Sequence, residues 1–420
     1  MRLGLFPEKT LNRLQGKKTI WLHTVSVGEA AAAAGLVKKL RHEFPERRIV
    51  FSTVTQTGNK IVNKLAEGDD AVIYSPLDID FVIKKIISIV RPSMYIITET
   101  EIWPNLISQL NKREIPIILV NGRISTRSFK GYKLISGFIR STLRKLSLFC
   151  MQTEDDAKRI VELGAEASKV RVTGNMKFDL ELSAVSYQPS ALGLDAGEKL
   201  FVAGSTHRGE EEMILNAYKK LLKKHANLRL LLAPRHIERT KEIENLIFRF
   251  GFKPQRVSQI KDEPRTTNHQ RRILVLDTIG QLKALYALAD FVFIGGSLIA
   301  HGGQNPIEPA IHGKAIIFGP HMFNFSNIAS IFLNHKAAVM IKEAAELGQI
   351  CDRLLSEPEF SKNLGTLARK LVTTNRGATL RNSELIKGVV NEGERLHDQK
   401  SGGGKTLDHL KPADRNLSKV

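Results

Sequence analysis

Short β-branched and apolar runs recur along the chain, each followed by a stretch in which apolar residues return at helical spacing. "TIWLHTVSV", "RIVFSTVT", "AVIYSP", "SMYIIT", "IPIILV" and "LSLFCMQT" occupy the first part; after the polar stretch "SAVSYQPSALGLDAGEK" the pattern restarts with "LFVAGST", "LRLLLAP", "RILVLDT", "FVFIGGS" and "AIIFGP". Alternation of strand and helix signals predicts an α/β protein with parallel, doubly wound sheets. The restart predicts two Rossmann-like domains, residues 1–182 and 199–395, joined by a linker at 183–198. From about residue 342 the pattern turns helical, and residues 396–420, glycine-rich and polar, are expected to be a disordered tail.

Composition narrows the class. The 420 residues are 42% hydrophobic and 25% charged, as in globular proteins with sizeable cores. Two distant cysteines, Cys150 and Cys351, suggest neither a disulfide framework nor a zinc site, which fits a reducing compartment. No apolar run is long enough to cross a bilayer. The formal net charge of +20 predicts an anionic partner: nucleic acid, acidic lipid or a phosphorylated substrate. That charge is concentrated between Arg123 and Lys145, where Arg123, Arg127, Lys130, Lys133, Arg140, Arg144 and Lys145 alternate with Phe129, Tyr132 and Phe138 and no acid intervenes. The stretch reads as a basic amphipathic surface, or as a solvated helix face. A nucleic-acid-binding function is disfavoured by the lack of any binding signature and by an aromatic content of only 6%, which leaves few stacking platforms.

Candidate chemistry gathers where strands give way to helices, the edge at which open α/β sheets bind ligands. In "HTVSVGEAAAAAG" Glu29 opens an alanine-rich helix, where it is either a first-turn dipole partner or a catalytic group; at a helix N-terminus it is expected to be ionised and a weak base. "TETEIWPN" adds Glu99 and Glu101 at another strand end. In the second half, "AGSTHRGEEE" brings Ser205, Thr206 and Arg208 to a helix start, a place for phosphate or simply a capped loop. "APRH" contributes Arg235, "DTIGQL" Ile279 and Gly280, and "IGGSLIAHGGQNPIEPA" Asn305 and Glu308, with glycines that let a ligand approach the backbone. Several such strand ends along one edge point to a nucleotide site. The D-x-D of Asp78 and Asp80 reads as helix capping ahead of metal binding.

Taken together and in order over roughly residues 1–390, "HTVSVGE", "TETEIWPN", "NGRIS-RS", "TGNMKFD", "GSTHRGEE", "APRH", "DTIGQL", "GGSL...HGGQNPIEPA" and "GPHMFNF" resemble the 3-deoxy-D-manno-oct-2-ulosonic acid (Kdo) transferases of lipopolysaccharide synthesis. The resemblance implies two Rossmann-like domains of the GT-B type facing each other across a cleft, a CMP-Kdo donor and a lipid A precursor as acceptor. It makes Glu29 the general base, with Glu99 and Glu101 in a supporting catalytic motif. It puts Lys177, Ser205, Thr206 and Arg208 at the CMP phosphate, and Arg235, Ile279, Gly280, Asn305 and Glu308 around the cytidine and its ribose. It also implies an inverting reaction on an acceptor of the lipid IVA type, with no cofactor or metal and no nucleic-acid partner, at the cytoplasmic face of the bacterial inner membrane. Arg123, Arg127, Lys130 and Lys133 would then meet the acceptor and the anionic membrane surface. Members usually begin with a hydrophobic anchoring helix, whereas "MRLGLFPEKT" resembles the segment just after it, which reads as a truncated sequence or a misassigned start.

Overall fold

The described residues of the protein, a computed structural model, are 2–14, 16, 18–180, 187–262 and 272–402. The chain folds as two compact units: one comprises 1–179 together with 377–420, the other 180–376.

The first unit is built on seven parallel strands: β1 (Thr19–His23), β2 (Arg48–Thr53), β3 (Ala71–Tyr74), β4 (Pro92–Thr98), β5 (Ile117–Gly122), β6 (Leu148–Met151) and β7 (Val170–Val172). Their order is β3-β2-β1-β4-β5-β6-β7. Side chains alternate between two cores. Trp21, Tyr95, Ile97, Leu119 and Phe149 join one, and Ile20, Leu22, Met94, Ile96, Ile118 and Val120 the other. Covering both faces is why these strands read as continuous apolar runs rather than alternating ones.

The second unit repeats the plan with β8 (Lys199–Thr206), β9 (Leu228–Pro234), β10 (Lys253–Arg256), β11 (Arg272–Val275), β12 (Phe291–Ile294), β13 (Ala315–Phe318) and β14 (Val339–Met340). Its order is β10-β11-β9-β8-β12-β13-β14, again all parallel. In each sheet the strand order reverses beside the first strand, between β1 and β4 and between β8 and β12. Such reversals open a crevice at the carboxyl ends of the strands.

The domain boundaries need correction at the C-terminus. The helix Ala378–Gly402, expected to close the second domain up to residue 395, packs on the first unit. The Asp179 carboxylate accepts from Gly377 N–H (2.6 Å) and Thr379 N–H (2.5 Å), so a first-unit carboxylate caps this helix. Ala378, Ile386 and Val390 then complete the core that holds Leu36 and Leu40. Residues 396–402 continue the helix instead of starting a disordered tail; 403–420 and residues 183–186 of the expected linker lie outside the described residues. Cys150 and Cys351 are both free and buried, one in each unit.

Candidate active site

Glu29 lies in the first turn of the helix Val27–Glu43, directly after β1. Ser26 caps that helix by accepting from Glu29 N–H (3.3 Å), and its hydroxyl donates back to Glu29 Oε1 (2.9 Å). Val25 N–H donates to Oε2 (2.7 Å). This is a capping box whose return bond is shifted one residue upstream. The side chain is only 8% exposed. Burial pushes its carboxyl up from 4.5 to about 7; the bonds from Val25 and Ser26 oppose this, and the nearby charges of Glu99 and Glu101 reinforce it. The expectation of an ionised, weak base is therefore corrected: desolvation outweighs the bonds from Val25 and Ser26 that favour the ionised form. A base poised near 7 suits proton abstraction at neutral pH.

Glu99 and Glu101 follow β4, across the strand-order reversal from Glu29. Glu99 takes a left-handed backbone conformation (φ 61°) and bonds Lys177 Nζ through Oε1 (3.1 Å). A non-glycine residue held there costs about 1–3 kcal/mol. Burial raises the Glu101 carboxyl. Thr100, between them, donates to the Arg123 carbonyl (2.5 Å) and accepts from its N–H (3.2 Å), which ties the acidic loop to the end of β5. Lys177, expected at the donor phosphate, belongs to the first unit and sits with the carboxylates.

Asp78 and Asp80 act as structural groups. Asp78 accepts from the N–H groups of Asn105 (3.0 Å) and Leu106 (2.8 Å), capping the helix Pro104–Asn111 rather than its own, while Asp80 bonds Gln109 and Lys84.

In the second unit the strand ends flank β8 as expected, but several side chains face inward. Thr206 is fully buried and its hydroxyl donates to Glu211 Oε1 (3.0 Å), which Arg239 also pairs, so that hydroxyl is committed to the fold. Arg208 extends into solvent in a bidentate pair with Glu242 (3.0 and 2.7 Å) and holds that carboxyl down to about 2. Ser205 takes the left-handed conformation (φ 57°). Arg235 is exposed just beyond β9, and Ile279 is 80% exposed beside Gly280, where an added Cβ would meet open space. Asn305 accepts from Ile307 N–H (3.1 Å) at the start of a short helix and hydrogen-bonds Glu308, whose carboxyl burial raises against the pull of Lys283 and Arg235.

The glycines of 295–303 make way for the chain itself. A Cβ on Gly295 would lie 2.3 Å from the Ser205 carbonyl, and on Gly303 2.2 Å from Met322 Sδ. Sequence reasoning missed what holds this loop. Glu210, fully buried, accepts from the N–H groups of His207 (3.0 Å), Gly296 (2.6 Å), Ser297 (3.0 Å) and Leu298 (3.0 Å). It also missed a stack of His207 on His301 (4.4 Å) beside His236; burial, then the neighbouring His301, His236 and Arg235, holds the His207 imidazole down at about 4.

The basic stretch forms the helices Thr126–Leu134 and Ser136–Leu143 beyond β5. Arg127, Lys130 and Lys133 are exposed, Arg123 is half-buried, and Lys133 pairs with Glu162. Phe129 and Tyr132 pack on the core, so the apolar part of this surface is Leu134 (88% exposed), Ile135 (52%) and Phe138 (57%). No described helix is long and apolar enough to cross a membrane.

Residues 1–180 match the family model of the 3-deoxy-D-manno-octulosonic-acid transferases (kdotransferases). The chain is 35% identical to the 3-deoxy-D-manno-octulosonic acid transferase of Haemophilus influenzae, over 92% of this chain and 90% of that protein. It is 31% identical to the enzyme of the same name from Chlamydophila psittaci, over 81% and 78%. Among solved structures, the UDP-GlcNAc 2-epimerase of Neisseria meningitidis bound to UDP-GlcNAc superposes with a TM-score of 0.55 at 12% identity, over 89% of this chain and 100% of that one. The Staphylococcus aureus MnaA–UDP structure gives 0.52 at 14%, over 95% and 100%. These two likenesses establish the fold, that of the GT-B glycosyltransferases and epimerases. The identity shared along nine-tenths of the sequence establishes the family: the chain belongs to the 3-deoxy-D-manno-octulosonic acid transferases, which are glycosyltransferases.

Proposed function

We propose that this protein transfers Kdo from CMP-Kdo to a phosphorylated lipid A precursor of the lipid IVA type, with inversion at the anomeric carbon. The observation that carries the reading is the buried Glu29 carboxyl, held near neutrality at the strand-order reversal of the first unit. In the step, the acceptor hydroxyl oxygen attacks the anomeric carbon and the bond from that carbon to the CMP phosphate breaks, its electron pair leaving with CMP. The hydroxyl proton passes to Glu29. Attack opposite the leaving group inverts the centre, so the product glycoside should show the anomeric configuration opposite to that of the donor by NMR. Retention would exclude this role for Glu29.

On the donor side, Asn305 and Glu308 take the ribose hydroxyls, Arg235 and the backbone at Ile279 and Gly280 the cytidine, and Ser205 with Arg208 the phosphate. Arg208 then exchanges Glu242 for the donor. Cationic and N–H groups at a departing phosphate stabilise the charge that develops there. With Asp78 committed to the start of the helix Pro104–Asn111 and Asp80 to Gln109 and Lys84, transfer is expected to survive EDTA. Loss on chelation with recovery on adding Mg²⁺ would show that metal ligands had been overlooked.

The acceptor lies in an anionic membrane face, and the surface that suits it is the Thr126–Leu143 helix pair, with the inner membrane's cytoplasmic leaflet as its partner. Each Lys or Arg close to such a leaflet contributes about 1 kcal/mol. Replacing Arg127, Lys130 and Lys133 by glutamate is expected to weaken binding to anionic vesicles and raise KM for the lipid acceptor, with CMP affinity unchanged. Leu134→Ser with Phe138→Ser should weaken vesicle binding further by removing apolar insertion. Wild-type vesicle binding and KM in both variants would reduce the helix pair to a solvated face.

A further inference from the structure

Three buried amide residues close a hydrogen-bonded ring with the backbone of residues 121 and 175–177. Asn121, at the end of β5, is fully buried and left-handed (φ 53°). Its Oδ1 accepts from Met176 N–H (3.0 Å), and its carbonyl accepts from Gln152 Nε2 (3.0 Å). Gln152 Oε1 accepts from Asn175 Nδ2 (2.9 Å), and Asn175 Oδ1 accepts from Lys177 N–H (2.9 Å). Gln152 and Asn175 are only 5% and 8% exposed. The ring, with the buried Met176 and Phe178 beneath it, fixes the short turn from which Lys177 reaches Glu99.

The amides satisfy the N–H groups of Met176 and Lys177 and the Asn121 carbonyl, backbone groups that apolar side chains would leave unpaired. What the ring adds is a fixed origin for Lys177. The groups facing Glu29 are Val25 N–H, the Ser26 hydroxyl and the carboxylates of Glu99 and Glu101; the Lys177 ammonium reaches it through Glu99. We propose that Asn121, Gln152 and Asn175 are positioning residues that hold Lys177 against Glu99, so that an ammonium offsets part of the Glu99 charge and Glu29 feels less of it. The link to transfer rests on Glu29 being the base; the placement of Lys177 does not.

If the ring is cut, Lys177 leaves Glu99, the uncompensated carboxylate holds the Glu29 proton more tightly, and the base becomes available only at higher pH. Asn121→Gly removes the amide at a backbone conformation glycine accepts without strain. Gln152→Met cuts the ring elsewhere at similar volume. For both full-length variants two quantities are measured: the transfer rate against pH, and the rate at which dilute acetic anhydride acetylates Lys177, read by peptide mass spectrometry. The ascending limb is expected to move up by roughly half to one pH unit, as for a neighbouring charge left unbalanced, and Lys177 to be acetylated several-fold faster. Lys177→Met should show the same limb displacement, with no further change when combined with Asn121→Gly. Unchanged Lys177 reactivity in the folded variants, or a rate loss equal at every pH with the limb in place, overturns the proposal. Full activity of Glu29→Gln would instead remove the base reading, and the acetylation rates would still decide whether the ring positions Lys177.

Discussion

Glu29→Gln is expected to lower transfer by about 10²–10⁴-fold, the usual contribution of a positioned general base, with CMP binding nearly unchanged because the residues proposed to bind the nucleotide belong to the other unit. The same substitution should stabilise the protein, and the pH dependence fixes the sign. Folded Glu29 keeps its proton to about 7 against an ordinary value of 4.5. Between those values the folded state binds more protons than the unfolded chain, so stability falls as pH rises. Above pH 7 the ionised carboxylate costs up to about 3 kcal/mol, since each tenfold change in proton affinity is worth about 1.4 kcal/mol; below 4.5 it costs nothing. Glutamine still offers an oxygen to Val25 N–H and serves in capping boxes. Thermal unfolding should therefore show Glu29→Gln above wild type at pH 8, with the gap closing by pH 4. An equally active variant, or one less stable at pH 8 than at pH 4 relative to wild type, would return Glu29 to a helix-end charge. In the wild type, the acceptor-saturated rate should rise through pH 7.

Glu210→Ala is expected to have the largest effect on stability. The substitution strands four N–H donors, those of His207, Gly296, Ser297 and Leu298. A buried unpaired donor costs about 1–3 kcal/mol, so even with water admitted to some of them the loss should exceed about 4 kcal/mol. These donors join the loop after β12 to the loop after β8, so CMP affinity should fall with stability. Glu210→Gln keeps one acceptor oxygen but turns an NH₂ toward two of the donors, and should fall between. Denaturant unfolding with and without CMP measures both effects; an alanine variant within about 1 kcal/mol of wild type would mean that the loop is held by other contacts.

The strands whose side chains are buried on both faces were legible because each forms a continuous apolar run. Of the edge strands only β3 was: β7 is three residues, β10 is "KPQR" and β14 only two residues, too little for a hydrophobic signal. The helix Ala378–Gly402 was assigned to the wrong unit because periodicity shows that a helix has an apolar stripe, while the choice of partner depends on a carboxylate, Asp179, some two hundred residues away. The acidic site was legible as residue types at strand ends, but not its energetics. The ionisation of Glu29 depends on how deeply it is buried and on two carboxylates seventy residues further along the chain. Thr206 and Arg208 read as phosphate ligands because a hydroxyl and a guanidinium at a helix start suit one; Glu211 and Glu242, which occupy them, could not be paired with them from spacing alone. Leu134 and Ile135 were overlooked because apolar residues in an amphipathic helix are expected to face the core, as Phe129 and Tyr132 do.

The most direct measurement is the mass of the acceptor after incubating the full-length protein with CMP-Kdo and a lipid IVA-type precursor, alongside Glu29→Gln. The expected result is an acceptor heavier by a whole number of Kdo residues, one CMP released for each, and no such product from the glutamine variant. An unchanged acceptor mass with CMP-Kdo intact, or a hexosamine increment when UDP-GlcNAc replaces CMP-Kdo, would contradict Kdo transfer by this site.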